Sequence, residues 1–225
     1  MGVNSVHVDD RGNVLQNISD GDNSVYMYKG KTAYDVLFDY IYGEGTSAGG
    51  KKIGELGKTI DANEIYTNVL NENLNKAETT WSPWTFKALV TDGGAWDLKV
   101  QKGTIWGLAN DGKTKFIFQG KVMESQDIGN HHFGAVAKAA LGYILTEKTI
   151  LMQAGSNQIA NGRSKPEWQR TKTITETYTI EHGGKVTETT TYRLWPYEDD
   201  PRDARWIEEG FKFYKRKSEL KFRLY

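Results

Sequence analysis

The 225-residue sequence predicts an α+β protein with mixed, largely antiparallel strands, a helical core, a C-terminal helix and an exposed β-hairpin. Three observations support this class. Several β-prone runs end in turns rich in Asp, Asn and Gly, other segments repeat apolar residues at helical spacing, and residues 171–193 alternate threonine with other side chains. Hydrophobic residues make up 38% of the chain and charged residues 26%, as is typical of globular domains.

The first 79 residues contain short elements separated by turn sequences. The runs VHVDDRGNVLQNI and NSVYMYKGK predict a small hairpin or strand extension. TAYDVLFDYIYG begins with a capping Thr, has helical spacing and ends in Gly, so it predicts a short helix. A flexible linker is expected over 43–58, where six of sixteen residues are glycine. The following DANEIYTNVLNENLNKA predicts a helix with an Asp cap.

From Trp81 onward the pattern first indicates strands. FKALVTDGG, AWDLKV and TIWGLA all resemble strands, and an Asn-Asp-Gly turn predicts a hairpin that joins TIWGLA to TKFIFQGKV. We therefore expect the second part of the chain to begin with a small antiparallel sheet.

Helices and a long hairpin follow in the remaining sequence. HFGAVAKAALGYI and TEKTILMQAGSNQIANG predict helices, and the Thr-rich stretch after them predicts an exposed hairpin that turns at Gly183-Gly184. DDPRDARWIEEGFKFYKRK predicts an acid-capped amphipathic helix. The residues expected on its apolar side are Trp206, Ile207, Phe211 and Tyr214.

The charge distribution changes near residue 79. Residues 1–79 contain 7 Lys and Arg against 12 Asp and Glu, whereas residues 80–225 contain 22 against 17. Together with the glycine-rich segment, this predicts an N-terminal carriage or docking segment over 1–79 and a core domain over 80–225. Residues of about 170–195 would form a hairpin insertion in that core domain. The mildly basic second part is compatible with a polyanionic substrate without requiring one.

The composition excludes several classes of protein. With no cysteine, the chain has no disulfide, thiolate metal site or Cys nucleophile. No apolar run approaches the roughly 20 residues needed to span a bilayer. The start, MGVNSVHVDD, lacks the basic and apolar regions of a signal peptide. We expect a piece of a longer polypeptide, or a cargo exported outside the general secretory route.

Familiar metal and nucleophile motifs are missing from the sequence. It contains no His-Glu-x-x-His, EF-hand loop, Gly-x-Ser-x-Gly or phosphate-binding Gly-rich loop. We therefore expect no cofactor, with a divalent cation at Asp199 and Asp200 as the open possibility. The alternative for these acids is helix capping, because free N–H groups and the helix dipole favour carboxylates there.

The adjacent His131 and His132 precede a predicted helix and are the first candidates for chemistry. A histidine near a carboxylate can act as a general acid or base, since its ordinary pKa of about 6.5 lies close to neutral pH. The alternative is that one histidine caps the helix and the other is solvated, and the pattern alone leaves both open. The other candidates are Asp97, Lys99, Gln158 and the acids of DDPRD.

Four short motifs, taken in order, resemble a known family. WDLK at 96–99, GNHHFG at 129–134, AGSNQIANG at 154–162 and DDPRDARWIEEG at 199–210 are similar to motifs of the bacterial polymorphic toxin type 44 family. The resemblance covers roughly 80–215. It implies an α+β toxin domain, delivery to a target cell by a contact-dependent or contractile system, and a cognate immunity protein. RNase activity has been proposed for this family.

The resemblance also implies roles for individual residues. The family histidine falls on His132, which makes it the catalytic candidate, while His131 lies where the family has an aromatic residue. Ala204 stands where family members commonly carry Gln. We expect a catalytic site made of His132, Asp97, Asp200 and Lys99. The residues expected to contact substrate are Asn130, His131, Gln158, Arg202 and Asp199.

Three functions remain open at this point. In a ribonuclease, His132 would transfer protons while Lys99 or Arg202 stabilises phosphorane charge. In a peptidoglycan hydrolase, Asp97 and Asp200 would be the two carboxylates of glycosidic cleavage, and the neutral net charge slightly favours such a substrate. A non-enzymatic cargo or adaptor domain is the third.

The three acids of DDPRD allow a specific geometric prediction. Their mutual repulsion must be offset by a cation or a shared proton, so capping does not account for all of them. We predict that Asp200 faces the same cleft as His132, with Asp97 nearby, and that Asp203 only supports the start of the helix.

Overall fold

The computed structural model describes residues 4–43, 45–80 and 82–223 and contains seven α-helices and two sheets in that part of the chain. The strands are β1 (Ser5–Asp9), β2 (Val14–Ile18), β3 (Ser24–Tyr28), β4 (Lys51–Glu55), β5 (Thr59–Asp61), β6 (Lys115–Phe118), β7 (Lys121–Met123), β8 (Thr171–Thr179) and β9 (Lys185–Arg193). The helices are α1 (Ala33–Tyr42), α2 (Asn63–Glu78), α3 (Pro83–Val90), α4 (Ile105–Leu108), α5 (Ser125–Leu141), α6 (Glu147–Ala160) and α7 (Pro201–Arg223). The α+β class predicted from the sequence is confirmed.

The main sheet has seven strands in the order β2-β1-β3-β4-β5-β6-β7. β1 pairs parallel with β3 and β5 pairs parallel with β6, whereas the other neighbours are antiparallel. In β6, Phe116 and Phe118 alternate with less buried residues, as expected for a strand with one face in the core. Ile60 of β5 pairs with Phe116, so the sheet continues from the first 79 residues into the rest of the chain.

A layer of helices packs on this sheet, with α5 in contact with both α2 and α7. Gly134, Ala135, Ala137 and Ala139 of α5 are buried, and their small size lets the neighbouring helices approach closely. Large side chains from the sheet and helices fill the rest of the core, namely Tyr66, Trp106, Phe116 and Phe211. Within the described residues, no helix is both long and apolar enough to cross a membrane.

The crossing of α5 and α7 depends on two glycines. A Cβ atom at Gly134 would lie 2.1 Å from the Ile207 carbonyl oxygen, and one at Gly210 would lie 2.1 Å from the His131 carbonyl oxygen. Only a residue without a side chain fits where two backbones are in contact. Gly134 of the GNHHFG motif and Gly210 of the last motif therefore set the distance between the two helices.

An ion pair fixes the first turn of α7 against the first turn of α5. The Arg202 guanidinium donates from Nε and Nη2 to the two carboxylate oxygens of Asp127, at 2.8 and 2.7 Å. The Asp127 side chain is buried. Nη2 of Arg202 also lies 2.9 Å from Oε2 of Glu124. A bidentate pair with this geometry restrains both position and rotation of the helix end.

Several elements predicted from the sequence are confirmed. Thr32 and Asp35 form a capping box at the start of α1, and the helix ends at Gly43. β8 and β9 form the predicted Thr-rich hairpin, and α7 is the predicted C-terminal helix, with Ile207 and Phe211 buried.

The predicted strands between residues 85 and 109 are wrong. FKALV belongs to α3, where Ser82 caps the helix and Pro83 occupies its first position. WDLK forms a short 3-10 turn, and TIWGLA contains α4, capped by Thr104. The hairpin in this region joins β6 to β7 instead, and the glycine-rich 43–58 contains β4. In α3 and α4 the helix-capping residues Ser82 and Thr104 therefore outweighed the β-propensity of the short apolar runs that follow them.

The predicted boundary near residue 79 remains a prediction, and contacts cross it. β5 pairs with β6, and α2 packs on α5. Val6 and Val25 belong to the same buried cluster as Val136 and Phe211. A carriage role for residues 1–79 would thus belong to a segment that shares its core with the later part of the chain.

We predict that Gly134→Ala lowers the free energy of unfolding by roughly 3 kcal/mol or more, because the added methyl group would push the backbones of α5 and α7 apart. Urea denaturation measures this change. Gly129→Ala in the same helix is the control, since its Cβ would meet only the Lys99 side chain at 3.6 Å. That control should be neutral or slightly stabilising. Equal stability of the two variants would contradict the proposed role of the helix crossing.

Candidate active site

The adjacent histidines lie inside α5 and not at its start. α5 begins at Ser125, so His131 and His132 are in its second and third turns. His132 is completely buried and His131 is 5% exposed. Neither the cap nor the solvated histidine of the alternative interpretation is present, because α5 begins at Ser125, seven residues before the start of the predicted helix at His132.

His131 belongs to an aromatic cluster in the core. Its Nδ1 lies 2.8 Å from the Tyr66 hydroxyl, which also donates towards the Ile128 carbonyl at 3.1 Å. The rings of Phe118 and Phe213 meet the imidazole edge to face. Burial, with a smaller contribution from Lys121, lowers the pKa of His131 to about 4, so the ring is neutral at physiological pH.

His132 is held between α2 and the segment before the 3-10 turn. Its Nε2 lies 3.0 Å from Nδ2 of Asn73, and the Trp96 ring meets it edge to face. Nδ1 has no hydrogen-bond partner of good geometry among the described residues, although the nearby Trp96 backbone favours the charged form. Burial, followed by His131, lowers the pKa of His132 to about 3. The ring is a neutral core group in this structure.

A cleft of about 140 Å³ lies beside these histidines, where α5, α6, α7 and the Trp96–Lys99 turn meet. It brings together most of the polar residues singled out by the sequence. Those residues are Asp97, Lys99, Asn130, Gln158 and Asp199. His131 and His132 are absent from its lining. The cleft therefore contains the predicted acids, lysine and amides without the predicted histidines.

Asp199 and Asp203 form an acid pair on the α7 side of the cleft. Asp199 is 2% exposed, and burial followed by the Asp203 carboxylate raises the pKa of Asp199 to about 7. Hydrogen bonds from the Asp200 N–H, at 2.9 Å, and from the Gln158 side chain oppose part of this rise. Burial also raises the pKa of Asp203, against the effects of the Gln126 amide and Lys99. The pair holds a proton near neutral pH.

An unusual turn before α7 places Asp199 in the cleft. Tyr197 and Glu198 both have positive φ, at 61° and 75°, a conformation that non-glycine residues rarely adopt. The turn passes so close to α6 that a Cβ atom at Gly155 would lie 1.6 Å from the Tyr197 carbonyl oxygen. Gly155 of the AGSNQIANG motif therefore makes room for the strained turn that carries Asp199.

Asp97, Lys99 and Asn130 also line the cleft. Asp97 is largely buried and its Oδ2 accepts a hydrogen bond of 3.1 Å from the Gly93 N–H. Lys99 extends along α5 beside Gly129 and acts electrostatically on Asp203. Nδ2 of Asn130 is buried and has no hydrogen-bond partner among the described residues, which is unusual for a buried polar atom.

The predicted arrangement of the DDPRD acids is wrong. Asp200 caps α7, accepting from the Arg202 N–H at 2.8 Å, and it lines a different groove, on the other side of the helix start. Asp203, expected only to support the helix, lines the cleft instead. Arg202 also lies in that other groove and is paired with Asp127. His132 shares no cleft with Asp200.

Sequence reasoning assigned Asp203 to the helix start instead of the cleft, and it missed Tyr66 and Asn73 as partners of the histidines. The polar cleft residues that it did not single out are Asp92, Asn157, Asn161 and Arg163. Asp203 follows Asp199 by four positions across a helix start, a spacing that places both side chains on one side. The two partners of the histidines lie on α2, and no local pattern connects that helix with α5.

The carboxylates do not form a metal-binding cluster. Among the residues that the structure describes, no group of three or more His, Asp or Glu side chains is arranged to hold a metal ion. Asp199 and Asp200, the pair considered for a divalent cation, face different grooves.

The fold and cleft define a small α+β domain that presents carboxylate, amide and cationic side chains in one cleft. A family profile described as bacterial toxin 44 matches residues 85–216, and the chain belongs to this family of toxin domains. The match begins at α3 and ends within α7, so it includes every residue of the cleft. No curated protein and no solved structure has significant similarity to the chain.

We predict that the two histidines respond differently to the same substitution. His131→Phe should reduce the free energy of unfolding by less than about 1 kcal/mol, because the aromatic contacts remain and Tyr66 can still donate to Ile128. His132→Phe should cost about 2–3 kcal/mol, because it leaves the Asn73 amide buried without its acceptor. Urea denaturation distinguishes these values, and the opposite order would refute the assigned environments.

The catalytic role of His132 stays a prediction that one variant can test. His132→Gln can retain an acceptor for Asn73 while removing the imidazole. A folded variant that remains toxic would show that His132 acts only in the core, which is the result we expect from its burial. A folded, non-toxic variant would support the catalytic assignment.

We predict that Asp199→Asn stabilises the protein at high pH. The pKa of Asp199 is about 7 in the folded chain and about 3.9 when unfolded, so the folded state binds the extra proton between these values. Stability should therefore fall as pH rises from about 4 to 7, by at most about 1.4 kcal/mol per pH unit. The variant should lack the part of this decrease that Asp199 causes, while Asp203, whose pKa is also raised, retains its own part. Denaturation at pH 4 and pH 8 measures it, with Asp200→Asn as the control that should retain most of the wild-type dependence, because the Asp200 charge is the smallest cause of the raised pKa of Asp199.

Proposed function

We propose that this toxin domain is a hydrolase that cleaves glycosidic bonds of the bacterial cell wall. The observation that carries the proposal is the buried Asp199–Asp203 pair, which keeps a proton near neutral pH in a cleft that also contains Asp97. Glycosidic cleavage requires one protonated and one ionised carboxyl group on either side of the bond. A neutral, fully buried His132 supports a carboxylate mechanism over a histidine mechanism.

In this mechanism Asp199 donates a proton to the leaving-group oxygen. Asp203 raises the proton affinity of Asp199 by its charge, while Asp97, which lines the same cleft, acts as the base or the nucleophile. Asn130 and Gln158 line the cleft, and in this proposal their amides bind sugar hydroxyls. Because the acid must be protonated, activity should decrease as pH rises through about 7.

The charge of the cleft favours an uncharged polymer. Asp97, Asp199 and Asp203 line the cleft together with Lys99, Arg163 and several amide side chains. Carboxylates repel a phosphate backbone, whereas hydroxyl groups can bond to carboxylates, amides and cations alike. Lys99 and Arg163 are the observation in favour of the second candidate, an RNase that uses them to stabilise phosphorane charge.

The toxin family also suggests how the domain is delivered and how the producing cell is protected. We propose that a specialised export or contractile system delivers the domain and that a cognate immunity protein protects the producing cell. Membership of the bacterial toxin 44 family supports both proposals.

Expression in two compartments tests the proposed substrate. The full chain, produced in bacteria with and without an export signal, should cause lysis only when it reaches the periplasm. Purified protein should release sugar fragments from cell-wall sacculi and leave total RNA intact. Killing in the cytoplasm with RNA degradation would replace the proposal with the RNase, and no effect in either compartment would favour the adaptor.

Variants of the cleft connect the activity to the proposed site. Asp199→Asn and Asp97→Asn should each reduce sacculus digestion by at least about a hundredfold, the usual contribution of an acid or base. Asp200→Asn is the matched control, because it removes a neighbouring charge outside the cleft and Asn caps a helix nearly as well as Asp. Equal losses in all three variants would contradict the assignment.

A further inference from the structure

The β8–β9 hairpin is an isolated two-stranded sheet. Among the described residues, β8 and β9 pair only with each other, and almost all of their side chains are exposed. A two-stranded ribbon is marginally stable in water, and stable sheets need a third strand or a packing surface. We therefore expect a further strand to pair with one edge of this long, regular hairpin and to stabilise it.

The hydrogen-bond pattern shows which backbone groups are free. The Leu194 N–H donates to the Arg170 carbonyl and the Ile180 N–H to the Gly184 carbonyl, both at 2.8 Å. Since bonded and non-bonded pairs alternate in an antiparallel ladder, the even-numbered residues of β8 bond inward to β9. The odd-numbered residues direct N–H and C=O outward along the open edge. They are Thr171, Thr173, Thr175, Thr177 and Thr179.

The side chains of β8 contain an unbalanced charge. Glu176 lies directly opposite Glu188, and like charges at this position destabilise a strand pair. Lys172, on the same face and four residues earlier, lies opposite Tyr192. The hairpin thus carries a repulsive Glu pair, and the lysine that could neutralise it is too far along the strand.

We propose that β8 pairs antiparallel with β8 of a second copy of the chain, about a twofold axis at Ile174. In this register Ile174 faces Ile174 of the second copy, and Lys172 of each copy faces Glu176 of the other. Arg170 faces Tyr178 in the same way. The outward backbone groups of the threonines then bond across the axis, and a four-stranded sheet forms.

β9 offers no comparable register. Pairing about Glu188 would place this residue opposite itself, and pairing about Thr189 would place Lys185 opposite Arg193. Pairing about Thr190 forms no opposite-charge pair. Lys172 and Glu176 lie at equal distances on either side of Ile174, and β9 has no such arrangement. The edge of β8 can therefore pair with its own copy.

Single cysteines test the register in the full chain, which contains no cysteine of its own. Facing residues of a non-bonded antiparallel pair lie about 4.5 Å apart, within reach of a disulfide. Ile174→Cys should form a covalent dimer under mild oxidation at least about tenfold faster than Thr190→Cys, the control opposite it on β9. Equal cross-linking rates would overturn the proposal.

Charge variants separate dimerisation from hairpin folding. Glu176→Lys removes the repulsion with Glu188 but places the new lysine opposite Lys172 of the second copy, so it should weaken the dimer roughly tenfold. Lys172→Glu should weaken it similarly, and the double variant should restore it, whereas Lys185→Glu on β9 should have no effect. Analytical ultracentrifugation over a concentration series measures each constant. A wild-type chain that stays monomeric at high concentration would refute the β8 dimer. The same holds if the β8 edge binds a strand of another protein while the chain remains monomeric.

Discussion

The direct backbone contact between α5 and α7 is the constraint on which the rest of the structure depends. Gly134 and Gly210 allow the helices to touch, and the bidentate Arg202–Asp127 pair fixes their ends. This crossing brings the start of α7, with Asp199 and Asp203, beside the face of α5 that carries Asn130. A wider separation would open the cleft and hydrate the acid pair, which would lower the pKa of Asp199 towards its ordinary value.

The Asp199–Asp203 pair lowers the stability of the fold, and the same pair is the basis of the proposed activity. Burying two carboxylates side by side is unfavourable, and the turn at Tyr197 and Glu198 adds backbone strain. The surrounding core holds both features in place, since Gly155 accommodates the turn and the Asp200 N–H bonds to Asp199. Such unfavourable groups are characteristic of functional sites, which is why the cleft carries the proposed activity.

The two histidines illustrate how a chemically suggestive motif can serve packing. Adjacent positions on a helix point about 100° apart, so His131 enters the aromatic cluster with Tyr66 while His132 reaches Asn73. Each imidazole contributes a buried polar atom that one residue of α2 satisfies. The pair thereby connects α2, outside the family match, to the central helix of the toxin domain.

The sequence by itself determined the α+β class, the ends of α1, the Thr-rich hairpin, α7 and the toxin family, because capping residues, turns and alternation are local signals. It also identified five polar residues of the cleft, which are Asp97, Lys99, Asn130, Gln158 and Asp199. Only the tertiary structure decided that Asp203 faces the cleft in place of Asp200, and that His132 is buried. These outcomes depend on how α7 is rotated against α5 and on where α2 packs. Both are set by contacts between residues far apart in the chain, and no local pattern records them.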